Sequence, residues 1–504
     1  VTPDSSPDIN ETFSDKVLNG KVAVVTGAGQ PIGSAIARRF GKAGARLALV
    51  HLPDEEEAAQ QLAREVGARL CVSCELSDPA SVNVAMQRIL GELKNLDVLV
   101  NSNISRVSGQ LCELTHEQWS RVVERQLSGT LYFCKEAIRP MMRKRAGKII
   151  SILDIAPGGA STVAAKGIAA MTRALASEAS RSGIYVNTLA VSVLRRGREA
   201  SRASTRAHQE RAGTSGSAGE RRGDCRIGSL PGLGSVQSHH RSCTLGQRRF
   251  VVMSRQRFVD QVVIVTGGSR GIGKAVALAF AAEGADIVLN YSSNAEAARG
   301  AAAEVEATGR RCVLVPGSVA LSGLPEQLRE AALSNFGRVD VLVNNAGVSQ
   351  DGYLMMLPTA AWRNTVDINL FGAFACSQAV VAPMKKQGSG AIINMSSTAG
   401  IRGRAGQVAY AATKGALIGL SQGLAAELGP FGIRVNAIAP GFIETEMVSG
   451  LLSRPGVRAG FINSTPIRRI GTVGDIASAA LFLASPESGF VVGEVMLING
   501  GLVM

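Results

Sequence analysis

The strongest constraint on this chain is that it repeats itself. Lys21–Gly33 reads KVAVVTGAGQPIG, and Gln261–Gly273 reads QVVIVTGGSRGIG. LDVLVNSN from Leu96 is answered by VDVLVNNA from Val339, Trp119 by Trp362, and GIYVN from Gly183 by GIRVN from Gly432. The offset drifts only from 240 residues at Thr26/Thr266 to 249 at Asn187/Asn436. That is a duplication of a domain-sized unit, about 250 residues long, and not a short solenoid period. Within each copy, apolar β runs alternate with amphipathic helical stretches, the pattern of a parallel sheet covered on both faces. In the second copy strands are expected at Val262–Thr266, Asp286–Asn290, Cys312–Val315, Val341–Asn344, Ala391–Met395, Arg434–Ala439 and Val495–Ile498. The expected fold class is therefore α/β, with two tandem doubly wound parallel-sheet domains at residues 1–194 and 254–504.

The segment between them, 195–253, has a different character. From Leu194 to Met253 there are 12 Arg, no Lys and 4 acidic residues, so +8 of the chain's net +14 lies there. The remainder is nearly balanced and no basic helix carries interleaved aromatics, which argues against a nucleic-acid partner. The segment is Arg/Gly/Ser-rich without helical or strand periodicity, as in a linker. The first copy also stops before anything like the ending RRIGTVGDIASAALFLASPESGFVVGEVMLINGGL of the second. A sheet without its last strand exposes an edge. Back-translation of Gly223–Val252, advanced by one nucleotide, admits codons for a similar ending and a stop just before Met253. This is compatible with two adjacent genes joined by a frameshift, and nucleotide sequencing of the segment decides it. No unbroken apolar stretch reaches the ~18–20 residues of a membrane span. The start of the chain shows no signal-peptide pattern, and the 8 cysteines lack paired metal-ligand spacing. The expectation is a cytoplasmic protein with reduced thiols, no metal, and neither membrane nor nucleic acid as partner.

The chemistry concentrates in the second copy. Gly267, Gly271 and Gly273 follow a strand and open a helix, an arrangement that lets backbone approach a pyrophosphate at the helix N-terminus. The second strand ends on Asn290 and Tyr291, with no carboxylate to accept from a ribose 2′-hydroxyl, while Arg270 in the first turn can pair with a 2′-phosphate. Both favour NADP(H). Tyr410 and Lys414, four apart, share one helix face, and Ser397 follows an apolar strand. A hydroxyl, a phenol and an ammonium together suit proton transfer to or from a carbonyl or alcohol oxygen. The ammonium is expected to lower the phenol's pKa towards the working range.

TGxxxGIG, NNAG (Asn344–Gly347), Asn369, Ser397, YxxxK and PGFIETEM (Pro440–Met447), in this order, resemble the short-chain dehydrogenase/reductases, and most nearly the 3-oxoacyl-[acyl-carrier-protein] reductases. The resemblance implies Rossmann-like domains and a catalytic set of Asn369, Ser397, Tyr410 and Lys414. Tyr410 would be the general acid or base, Lys414 would tune it and hold the ribose, Ser397 would bind the reacting oxygen, and Asn369 would interrupt its helix and hold a water. It implies cofactor contacts from Gly267, Ser269, Arg270, Gly271, Ile272, Gly273, Asn290, Ser318, Asn344, Ala346, Gly347, Tyr410, Lys414, Pro440, Gly441, Ile443 and Thr445. Ser318 stands where the family commonly has an acidic residue for adenine, so that contact should be weaker.

The first copy departs from the pattern throughout. Pro31 replaces the glycine matching Gly271, NSNI from Asn101 replaces NNAG, and Gln126 stands for Asn369. Asp154 stands for Ser397, Thr162 for Tyr410, and Val191-Ser192 for Pro440-Gly441; only Lys166 is retained. The first copy is expected to be a non-catalytic partner that holds the family's subunit interface, with a pseudo-dimer of the halves and a higher homo-oligomer. MMRKRAGK (Met141–Lys148) and Arg181 are more basic than their counterparts and could receive an acidic carrier protein. The expected activity is interconversion of a 3-oxoacyl thioester, carrier-bound, with its 3-hydroxyacyl form. The alternatives are a 3-hydroxyacyl dehydrogenase of antibiotic tailoring, as in aminocoumarin pathways, and a non-catalytic dinucleotide-binding assembly protein.

Overall fold

The computed structural model describes residues 16–105, 107, 109–154, 159–191, 256–446, 450, 453 and 455–503. The Arg-rich segment, and with it the frameshift question, lies outside the described residues. In the first half, strands β1 (Val22–Thr26), β2 (Arg46–His51), β3 (Leu70–Ser73), β4 (Val98–Asn101), β5 (Gly147–Asp154) and β6 (Ile184–Val191) alternate with helices. These are α1 (Pro31–Lys42), α2 (Glu56–Val66), α3 (Pro79–Leu93), α4 (His116–Val122), α5 (Gly129–Lys144) and α6 (Gly159–Ala179). The second half has β7 (Val262–Val265), β8 (Asp286–Tyr291), β9 (Cys312–Pro316), β10 (Val341–Asn344), β11 (Gly390–Met395), β12 (Ile433–Pro440) and β13 (Val495–Ile498). Its helices are α7 (Gly271–Ala282), α8 (Ala295–Glu306), α9 (Leu324–Phe336), α10 (Thr359–Val366), α11 (Gly372–Gln387), α12 (Thr398–Arg402), α13 (Val408–Leu428), α14 (Val457–Ser464) and α15 (Val473–Ala484).

Both sheets are parallel. The first runs β3-β2-β1-β4-β5-β6 and the second β9-β8-β7-β10-β11-β12-β13. Chain order reverses beside β1 and β7, which opens a crevice at the carboxyl ends of the strands. The central strands read as unbroken apolar runs, VAVVT and VVIV, because helices cover both faces. Each expected strand of the second copy is present, with ends moved by at most one residue. Among the described residues the first sheet ends at β6, whose Tyr185 and Leu189 are exposed.

The two halves share one apolar core across a pseudo-two-fold contact. Helices α6 and α13 meet through small residues: a Cβ on Gly167 would lie 3.0 Å from Ala412 O, and one on Gly415 would lie 2.9 Å from Lys166 O. Trp119 stacks on Phe374 with ring centroids 4.0 Å apart, and Trp362 Nε1 donates to Ser128 Oγ at 3.0 Å. Polar contacts come in matched pairs. Lys135 Nζ donates to Leu357 O (2.6 Å), and its counterpart Gln378 donates to Leu114 O (2.9 Å). Glu427 accepts from the Leu111 and Cys112 N–H groups, and Glu178 accepts from the Leu354 N–H. Residues Thr359–Gln387 form a continuous helical run long and apolar enough, by length and composition alone, to cross a membrane. Here much of that apolar surface faces the sheet and the other half.

Candidate active site

The second half carries a cleft of about 350 Å³ at the carboxyl ends of β7 and β10. Gly267 and Gly271 adopt φ of +62° and +55°, the left-handed region that favours glycine. A Cβ on Gly267 would come 3.0 Å from Ala346 Cα, and one on Gly273 would collide with Gly267 O. No side chain caps α7, so its first-turn N–H groups are available at the cleft floor. This cradle suits a dinucleotide pyrophosphate. Gly267, Ser269, Arg270, Gly271, Ile272, Asn290, Ser318, Ala346, Gly347, Pro440, Gly441, Ile443 and Thr445 line the cleft, as do Ser397, Tyr410 and Lys414. Gly273 lies beneath it as a packing residue.

One further expected contact lies off the cleft. Asn344 does not line the cleft: its Nδ2 donates to Ser377 Oγ (3.0 Å) and Asn394 Oδ1 (2.8 Å), so it ties β10 to the elements behind it. The neighbouring Asn345 lines the cleft instead and bonds to the Thr266 and Gly267 carbonyls at 3.0 Å each. Along a strand alternate side chains take opposite faces, so a shift of one residue decides which asparagine meets the cleft. Asn290 is buried; it accepts from the Gly267 N–H and donates to the Val315 and Gly317 carbonyls, bracing the glycine turn. Arg270 is exposed, and its guanidinium lies 3.6 Å from the exposed Glu446.

Asn369 sits in a π turn, Asp367–Phe371, between α10 and α11. Its carboxamide accepts from the Val348 N–H (2.7 Å) and donates to Val348 O (2.9 Å) and Thr413 Oγ1 (3.2 Å). The first half has the same interruption at Val123–Ser128, around Gln126, so the π turn does not depend on asparagine. Ser397 caps α12 by accepting from the Ala399 N–H (3.1 Å), and it lines the same cleft as Tyr410. Lys414 is buried below; its Nζ donates to Met395 O (2.7 Å) and lies 5.6 Å from the Tyr410 ring centroid.

The electrostatics correct the expectation that Lys414 by itself draws the phenol down. Burial pushes Tyr410 up to about 12; the Ser397 hydroxyl opposes this and the Asp351 charge adds to it. Burial likewise pulls Lys414 down to about 8. A desolvated ammonium whose hydrogen bond goes to a carbonyl is a weak source of phenolate stabilisation. Asp351, held by Gln407 Nε2 at 3.0 Å, was not foreseen from the sequence; no motif marks it.

The first half fills the equivalent space with its own side chains. Gln30, at the position of Arg270, donates to Glu55 Oε1 (2.9 Å) and Asn103 Oδ1 (3.2 Å) and accepts from the Ile104 N–H (2.9 Å). Glu55 lies against Gly29, so a carboxylate occupies the turn where a phosphate would dock. Pro31 opens α1. The α6 helix brings a second correction. Glu178 and Glu427 are pseudo-symmetric, an offset of 249, and both helices are unbroken from residue 159 and from residue 408. In that register Ser161 and Ala165, and not Thr162 and Lys166, occupy the places of Tyr410 and Lys414. Lys166 is accordingly exposed, while Lys414 is buried. One residue of slip turns a helical side chain through about 100°. Ser161 Oγ instead accepts from Gln126 Nε2 (3.2 Å).

Known proteins match the chain in the same two pieces. A family model described as short chain dehydrogenase matches residues 21–206, and one described as enoyl-(acyl carrier protein) reductase matches residues 267–503. A 3-oxoacyl-[acyl-carrier-protein] reductase of Synechocystis sp. is 42% identical over 245 residues, 48% of this chain and 97% of that protein. Its counterpart in Chlamydia muridarum is 40% identical over 245 residues, 48% of this chain and 98% of that protein. Among solved structures, a gluconate 5-dehydrogenase from Burkholderia cenocepacia in complex with NADP and tartrate is 34% identical. It covers 49% of this chain and 97% of its own, with a TM-score of 0.47.

Proposed function

The chain belongs to the short-chain dehydrogenase/reductase family, as an NAD(P)-dependent oxidoreductase acting on CH–OH groups, and on that premise we propose that its second half interconverts a 3-oxoacyl thioester and its 3-hydroxyacyl form. The observation that carries this reading is that Ser397, Tyr410 and a buried Lys414 line one cleft, which opens on the uncapped start of α7. When bound, the nicotinamide supplies or takes up the hydride. Tyr410 gives the proton to the carbonyl oxygen in reduction and takes it back in oxidation. Ser397 donates to the oxygen on which charge develops. Lys414 would hold the cofactor's ribose, and Asn369 fixes the loop at Val348.

NADP(H) is favoured because Asn290 is uncharged and buried, and Arg270 projects at the mouth of the helix. The similarity to 3-oxoacyl-[acyl-carrier-protein] reductases supports a carrier-bound acyl group. Exposed Arg143, Arg145, Lys148 and Arg181 on the first half could face an acidic carrier, whereas Lys144 is engaged by Asp97 at 2.7 Å. The first half is the non-catalytic partner.

The test is NADPH oxidation with a 3-oxoacyl thioester, free and carrier-bound. Tyr410→Phe should lose about 10²- to 10⁴-fold in kcat. An unchanged rate in that variant would end the reading. Turnover of free polyols with none of thioesters would retain the chemistry and overturn the substrate class. Arg270→Ala should weaken NADPH and leave NADH untouched.

A further inference from the structure

The segment joining Ser397 to Tyr410 does not stand alone. After α12 it turns through residues 403–407, then enters α13, where Tyr410 is the third residue. This turn is laced to the loop before Leu354: the Gly352 N–H donates to Gly406 O (2.7 Å), and Gln407 Nε2 donates to Asp351 Oδ2 (3.0 Å). Both strands of this lacing are gripped by one carboxylate from the other half. Glu178 Oε1 accepts from the Gly406 N–H (2.9 Å), and Oε2 accepts from the Leu354 N–H (3.1 Å). The same stretch of α6 packs under the turn, since a Cβ on Gly403 would strike the backbone between Arg173 and Ala174. Arg173 itself reaches Gly400 O at 3.4 Å.

We propose that Glu178, on the half without the catalytic set, is a positioning residue for Tyr410. The proposal rests on the reading that Tyr410 transfers the proton. Glu178 fixes the turn that opens the helix carrying the phenol, and through Gly406, Gly352 and Gln407 it ties that turn to the loop at Asp351. A partly buried carboxylate with two backbone N–H partners holds both loops in one register. Its pseudo-symmetric mate Glu427 grips Leu111 and Cys112 in the first half, where no tyrosine depends on them. The chain thus contains its own control. The charged groups around the phenol are Asp351 and Lys414. Glu178 faces the two N–H groups, and the guanidinium on its own helix, Arg173, is directed to Gly400.

The experiment compares Glu178→Gln and Glu427→Gln in the full-length protein, with Tyr410→Phe in parallel. Each is measured for NADPH binding, thermal unfolding, and kcat against pH in the oxidative direction with a 3-hydroxyacyl thioester. Glu178→Gln retains one acceptor oxygen and sets an NH₂ group against an N–H, so its kcat should fall about 10-fold or more. The oxidative pH profile should move to lower pH, because the Asp351 charge that raises the phenol is no longer held by the laced turn. NADPH affinity should hold, and Glu427→Gln should keep wild-type kcat and pH profile. Equal kcat and equal profiles in the two glutamine variants would overturn the proposal. Should Glu178→Gln fail to fold, Glu178→Asp, which keeps both acceptors on a shorter stem, is judged by the same two readouts. A fully active Tyr410→Phe would instead sink the reading beneath it, independently of how the glutamates behave.

Discussion

The first and second halves fold on one plan and diverge at the places where chemistry would occur. In the second, glycines and a buried lysine leave a cleft open; in the first, Gln30 donates to both Glu55 and Asn103 across the same space. Several scaffold contacts are matched, among them Lys135 to Leu357 with Gln378 to Leu114, and Glu178 to Leu354 with Glu427 to Leu111. A packed interface tolerates loss of catalytic residues but not loss of volume or of buried hydrogen bonds. The comparison teaches that the silent half preserves what the other half leans on.

The largest way to break the comparison is to remove the chemistry from the half that has it. Lys414→Met should lower kcat about 10²- to 10⁴-fold, whereas Lys166→Met should leave turnover at wild type. An equal loss in both would mean that Lys166 acts in a site of its own.

Next comes the shared interface. Gly415→Val would drive a branched side chain into Ala170 Cβ and Lys166 O. It should destabilise both halves together by about 1–3 kcal/mol, seen as a single earlier urea transition. Unfolding of one half alone would show that the halves are energetically independent.

The pH dependence sharpens the picture of the buried lysine. Burial holds Lys414 at about 8 in the folded chain, below its ordinary value near 10.5. Between those values the unfolded chain binds a proton that the folded chain has released, so stability rises with pH across the window. The contribution is on the order of 2 kcal/mol and should vanish in Lys414→Met, read from urea midpoints at pH 7.5 and about 9.5. Tyr410, pushed up to about 12, acts in the opposite sense: above about 10 the folded chain keeps a proton that the unfolded one has lost. A wild-type midpoint that fell through the lysine window, relative to the variant, would contradict the burial of Lys414.

The smallest effect is on nucleotide count. Calorimetry should find one NADP(H) per chain, and Glu55→Ala should not raise it to two, since Pro31 and Asn103 still obstruct the turn. A count of two in the wild-type chain would show that the Gln30–Glu55 plug opens.

Much of this protein was legible in its sequence because the signals are local. Apolar runs, glycine turns and the Tyr410–Lys414 spacing report backbone geometry within a few residues, so both sheets and the cleft-lining residues could be placed. At Asn344 and Lys166 a single position decides which way a side chain points, on a strand and on a helix respectively, and no local pattern marks it. Ser161 and Ala165 take the places of Tyr410 and Lys414 only once α6 is packed against α13.

The duplication, the parallel-sheet class and the half that retains a phenol, a hydroxyl and an ammonium are all written in the order of residues. Tertiary structure alone decided that burial pushes Tyr410 up and Lys414 down, that Gln30 and Glu55 close the first cleft, and that Glu178 reaches two loops of the other half. Desolvation and hydrogen bonds between residues more than 170 positions apart arise from what packs against what, and no local pattern encodes them.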